Sequence, residues 1–138
     1  MKTDTPIPVH LKILLGFCGF AGLFIGVSIL VRPVPFYAST GIDLSQSVSM
    51  LSELRAIGAT FVSCSVLVLL GTLRSSLTGF AILLSAMLYL SCAFGRLVSL
   101  VLDGTPSTPL LIVMCLEWVI GLTCAACAYR MRRQVLNY

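Results

Sequence analysis

Four long apolar blocks dominate this chain and decide what it can fold into. They run from about Ile13 to Val31, Ala56 to Leu73, Gly79 to Leu102 and Leu110 to Ala128. Each is close to the ~20 residues that an α-helix needs to cross ~30 Å of hydrocarbon. Lipid offers no water to backbone N–H and C=O groups, so only helices and closed β-barrels can span it. The blocks lack the alternation of a barrel strand. The expectation is an all-α fold, an integral membrane bundle of four antiparallel transmembrane helices, with residues 1–138 as a single domain. A soluble fold fails on charge. Charged residues make up 10% of the chain, against about 25% in an ordinary soluble domain, which is too few to cover a water-facing surface. The first block follows Lys2 and Lys12 as a secretion signal would. It is longer than a signal's apolar core, and no small-x-small cleavage site closes it, so it is expected to stay as a helix.

The basic residues set an orientation. With the N-terminus inside, Lys2, Lys12, Arg74, Arg130, Arg132 and Arg133 fall on the cytoplasmic side. Arg32 alone flanks a span outside, and Arg55 and Arg96 lie at or within helices, which accounts for all nine basic residues. Positive loops stay inside, so the expectation is a multi-pass protein of the cell (inner) membrane with both termini cytoplasmic. The net charge of +4 belongs to that distribution, and no nucleic-acid partner is expected.

The longest connection, Arg32 to about Ser52, lies outside. Pro33 and Pro35 should stop the first helix, and Phe36 and Tyr37 suit the membrane interface. Ile42, Leu44, Val48 and Leu51 recur at roughly helical spacing and predict a short interfacial helix. The loops Arg74–Thr78 and Asp103–Pro109 are short and force neighbouring spans antiparallel. In the first span Gly16, Gly19, Gly22 and Gly26 share one side, a small-residue strip for close helix packing.

Ionisable groups inside a membrane are costly unless paired or hydrated, so their positions carry information. Glu53 and Arg55 stand at the outer start of the second span. Arg96 lies six residues inside Leu102, about 9 Å deep at 1.5 Å per residue. Glu117 lies seven residues inside Leu110, about 10 Å deep by the same rise. Asp103 caps the outer end of the third span. Along that span Ser85, Tyr89, Cys92, Arg96, Ser99 and Asp103 are spaced to hold one helix face. Arg96 and Glu117, at matching depth on helices joined by a short loop, are expected to pair, with Gly121 opening space beside Glu117. Two readings stay open. One is an ion pair that only fastens two helices. The other is a polar pocket between the second, third and fourth spans, open to the outer face. Its candidate ligand-binding residues are Glu53, Arg55, Arg96, Ser99, Asp103 and Glu117.

Other chemistry is thinly supported. All six cysteines, Cys18, Cys64, Cys92, Cys115, Cys124 and Cys127, lie in apolar blocks, where thiols serve as small packing groups. Cys124 and Cys127 have the spacing of a redox pair. They sit at the inner end, and the outer loops lack the shuttle cysteines of the vitamin K epoxide type of four-helix quinone reductase. His10 is the single histidine, so no metal and no cofactor is expected. Arg130, Arg132 and Arg133 read as a topology anchor.

Three groups of residues resemble a known family. They are Ser52-Glu53-Leu54-Arg55-Ala56 with Gly58, then Gly95-Arg96 with Ser99, Asp103-Gly104 and Pro106, and then Glu117 in the last span. Their order and spacing, over nearly the whole chain to about Arg130, resemble the bacterial membrane family catalogued as domain of unknown function 4345. Ala59 departs from it, since a second glycine is expected there. The resemblance implies a four-helix membrane fold and no established activity; a more distant likeness is to DoxX-like membrane proteins. Two function classes follow. One is a non-catalytic module, binding a lipid or small apolar ligand or serving as an accessory subunit of a membrane protein partner. The other is a membrane enzyme using Glu53, Asp103 or Glu117 as acid or base on a lipid-soluble substrate. Acid–base work needs a carboxyl group free to exchange its proton with a substrate. An arginine partner occupies Glu117, which favours the non-catalytic class.

Overall fold

The structure, a computed structural model, describes residues 7–44 and 47–136, with side chains described as far as Arg133 at the C-terminal end. Lys2 lies outside those residues. Five helices follow one another: α1 (Val9–Val31), α2 (Pro33–Ala38), α3 (Val48–Leu73), α4 (Ser75–Leu102) and α5 (Thr108–Leu136). No strand occurs among the described residues. Helices α1, α3, α4 and α5 are each long and apolar enough to cross a membrane, so the fold is an all-α membrane bundle of four spanning helices.

The helices overrun the apolar blocks. α3 has 26 residues and starts eight residues before Ala56. α5 has 29 and carries Arg130, Arg132 and Arg133 as a helical extension. Hydropathy marks only the part of a helix suited to hydrocarbon, while backbone hydrogen bonding continues into polar surroundings until a cap ends it. Ser47 supplies such a cap to α3, its Oγ accepting from the Met50 N–H at 3.3 Å.

The connection after α1 differs from the expectation. The short helix is α2, and Val48 and Leu51 belong to the first turn of α3. Proline explains the shift. Arg32, ahead of Pro33, is excluded from the helical region and takes φ −135°, ψ 64°. Pro33 then stands at the first helical position, where its missing N–H costs nothing. The same proline therefore ends α1 and starts α2.

Two kinds of contact fix the packing. On α1, Gly22 faces Ser65 of α3, and Gly26 faces Gly58 and Val62. As numbers fall along α1 they rise along α3, so the two helices are antiparallel. Arg74 alone links α3 to α4, and the Thr78 hydroxyl donates to the Gly71 carbonyl at 2.9 Å. Gly71 is required there, because a Cβ would collide with Ala81 of α4. α5 runs back along α4, with Gly121 against Leu90. Helix α4 thus packs on both α3 and α5. The core is built around Leu15, Cys18, Val68, Ile82, Tyr89 and Cys124. Outward from it, Phe17, Phe20, Phe24, Leu83, Met87 and Phe94 are exposed, the arrangement that a lipid solvent allows.

Candidate site at the α2 end of the bundle

The polar face of α4 turns inward for most of its length. Ser85 and Tyr89 are buried, Cys92 and Arg96 are half-buried, and Ser99 and Asp103 emerge at the α2 end. The lower members satisfy themselves within the bundle. The Ser85 hydroxyl donates to the Ala81 carbonyl at 2.8 Å. The Tyr89 hydroxyl donates to the Cys18 carbonyl at 2.7 Å and ties α4 to α1.

Above them Arg96 and Glu117 pair. Arg96 Nε donates to Glu117 Oε2 at 2.9 Å, with side-chain exposures of 36% for the arginine and 11% for the glutamate. That difference matters. The carboxylate is largely withdrawn from solvent, whereas the guanidinium reaches it. Only Nε is used, and neither Nη group has a partner among the described residues. No buried side-chain nitrogen or oxygen there lacks a partner, so both Nη groups are accessible. Beside them lies a cavity of about 70 Å³ lined by Arg96, Ser99, Pro106, Leu110 and Met114. At its mouth the Ser99 hydroxyl donates to Asp103 Oδ2 at 2.8 Å. On the opposite side of α4, Leu97, Val98, Val101 and Leu102 line a separate apolar groove of about 270 Å³.

The connection after α1 folds over this end. The Ser107 hydroxyl donates to the Thr40 carbonyl at 2.7 Å, joining the α4–α5 loop to the segment after α2. Gly41, with φ +82°, makes that approach beside Ser107. Pro33 and Leu44 are buried. Tyr37 packs edge-on against Phe36, ring centroids 5.5 Å apart. Burial pushes the Tyr37 hydroxyl above its ordinary range, against the opposing pull of the Arg96 guanidinium.

The candidate residues therefore divide. Arg96, Ser99, Asp103 and Glu117 come together on α4 and α5. Arg55 turns to α1, its Nη1 donating to the Leu30 carbonyl, and Glu53 is exposed on α3. The cavity is walled by α4, α5 and their connection, whereas the expected pocket enclosed three spans. The reason is topological: α4 stands between α3 and α5, so residues on α3 do not converge with Glu117. Gly121 also differs from its expected role. A Cβ there would meet the Leu90 side chain and backbone, so this glycine lets α5 close onto α4 at Leu90. Tyr37, Pro106, Leu110 and Met114 were missed. The aromatic pair at 36–37 pointed to an interface but not to a neighbour across the bundle.

A family model described as Domain of unknown function (DUF4345) matches residues 10–127. No curated protein and no solved structure is significantly similar to the chain.

Proposed function

The chain belongs to the family described as Domain of unknown function (DUF4345), a description that names no activity, and we propose its function from the site itself. It is a non-catalytic membrane module that binds the polar headgroup of a lipid or small amphiphile at Arg96, Ser99, Asp103 and Glu117, in the outer half of the bilayer. The observation that carries this is the half-used guanidinium. Glu117 holds Arg96 by Nε, which leaves two Nη groups side by side for an anionic oxygen pair, a bidentate fork of the kind with which arginine binds phosphate. Asp103 adds a negative charge at the rim, so the fitting headgroup carries a hydroxyl or ammonium donor as well as an anion. Pro106, Leu110 and Met114, which line the cavity with Arg96 and Ser99, offer an apolar wall to the start of the tail, giving the mixture of apolar walls and few polar anchors found in ligand sites.

The enzyme alternative has less support, because Glu117 is occupied by Arg96 and Asp103 by Ser99. The setting that belongs to this proposal is a bacterial inner membrane, with the whole chain as one transmembrane domain and both termini cytoplasmic. Native mass spectrometry of the detergent-solubilised protein, titrated with phosphatidylethanolamine, phosphatidylglycerol or phosphatidylcholine, tests the ligand. Phosphatidylethanolamine or phosphatidylglycerol should be retained and phosphatidylcholine, which lacks a donor, should not. Arg96→Lys keeps the charge but loses the planar fork, and should weaken retention about tenfold, the worth of one charge-assisted hydrogen bond. Equal retention of all three lipids by both proteins would remove the proposal.

A further inference from the structure

Two thiols that the headgroup site does not use meet in the middle of the bundle. Cys18 of α1 and Cys124 of α5 are 2% and 0% exposed, and their Sγ atoms lie 3.8 Å apart within a shared hydrogen bond. They are 106 residues apart in sequence and join the first span to the last. α1 packs chiefly on α3, and α5 chiefly on α4, so this pair joins two spans that otherwise pack on different neighbours. Cys127, the other half of the C-x-x-C spacing, is half-buried. The fold has given Cys124 a partner on another helix.

The surroundings narrow the chemistry. The pair belongs to the buried core that also holds Leu15, Val68, Ile82 and Ala86. No histidine, aspartate or glutamate joins the two thiols in a metal-holding group among the described residues. A monovalent soft metal held by two thiolates would leave a net negative charge in an apolar core, which is strongly disfavoured. A disulfide is neutral and apolar. We propose that Cys18 and Cys124 are a redox-active dithiol, oxidised to an intramembrane disulfide that clamps α1 to α5.

The oxidant class that suits this place is a small uncharged peroxide, here hydrogen peroxide. One thiol gives up its proton and its sulfur attacks a peroxide oxygen. The O–O bond breaks, a sulfenic acid forms, and the departing oxygen leaves as water with that proton. The second sulfur then displaces the sulfenic hydroxyl. The S–S bond forms, and the hydroxyl takes the second thiol's proton and leaves as water. Two thiols lose two electrons, and one peroxide becomes two waters. The sulfurs need only draw in from 3.8 Å to the ~2 Å of a disulfide.

The test uses the full chain in nanodiscs, titrated with hydrogen peroxide and then denatured and labelled with a maleimide. The six cysteines should all label without oxidant. After oxidation two labels should be lost, intact mass should fall by about 2 Da for the two hydrogens removed, and proteolysis should yield a Cys18–Cys124 cross-linked peptide that a thiol reductant cleaves. Cys127→Ser should still lose two labels, whereas Cys18→Ser and Cys124→Ser should show neither the loss of about 2 Da nor a cross-linked peptide. Peptide mapping of the wild-type chain decides the matter even if a variant fails to fold. The proposal is overturned if all six thiols still label, if the bridge maps to Cys124 and Cys127, or if the bridge joins two chains.

Discussion

Arg96 and Glu117 form one bond with two unequal ends. Removing Arg96 leaves a carboxylate that is 11% exposed, whereas removing Glu117 leaves a guanidinium that is 36% exposed and can take up water. Stranding one member of a buried pair costs about 3–5 kcal/mol. Arg96→Ala should therefore lower stability in detergent by roughly 3 kcal/mol, and Glu117→Ala by clearly less. The double variant should recover part of the sum, because the two losses share one interaction. Thermal melts of the four proteins measure this, and strict additivity would argue against coupling. Tyr37 makes a second residue-scale prediction. Its proton is held more tightly in the folded protein than at the ordinary value of 10.0. Below that pH both folded and unfolded chains keep the proton and stability is unaffected. As pH rises through it, the unfolded chain releases its proton first, and the folded state loses stability until its own value is passed. Melting temperature should therefore fall more steeply from about pH 9 to about pH 11 in the wild type than in Tyr37→Phe.

Between elements, close approach of backbones is what holds α1 to α3. A Cβ on Gly26 would stand 2.8 Å from the Val62 nitrogen, and one on Gly58 would stand 2.7 Å from the Leu30 nitrogen. These are backbone atoms, so relief requires moving a helix. Gly16 and Gly95 have nothing within 4 Å of such a carbon. Gly26→Ala and Gly58→Ala should each cost about 1–3 kcal/mol, the usual penalty for overpacking. Gly16→Ala and Gly95→Ala should be neutral or slightly stabilising, since alanine is the better helix former. Equal effects at all four positions, read by thermal melts in detergent, would contradict this account of the α1–α3 interface. Ala59 is exposed, so its departure from the expected glycine does not touch that interface.

At the scale of the molecule, α4 is the hub. It meets α3 and α5 along its length, bonds α1 through Tyr89 and carries Arg96. Orientation rests on a different force, the retention of cationic loops on the cytoplasmic side. Lys12, Arg74, Arg130, Arg132 and Arg133 lie at the end of the bundle opposite α2, and Arg32 lies at the α2 end. An alkaline phosphatase fused after Tyr138 should be inactive, and one inserted at the α2–α3 connection should be active. Activity after Tyr138 would reverse the orientation and place the Arg96 site on the cytoplasmic side.

Spanning helices were legible in the sequence because hydrocarbon imposes one length and one composition on any segment that crosses it. The pairing of Arg96 with Glu117 was legible for a related reason: two opposite charges at one depth, on helices joined by a short loop, have few other partners. Position around the bundle was not. Depth places Glu53 and Arg55 with Arg96, but azimuth separates them, and azimuth depends on which helix faces pack. The contact of Gly121 with Leu90 follows from the same packing, as does the encounter of Cys18 with Cys124 across 106 residues. The length and polarity of each crossing were thus written locally in the chain. Beyond the Arg96–Glu117 pair, which side chains meet was decided only when four helices of similar hydropathy chose their neighbours and the face that each turns to them.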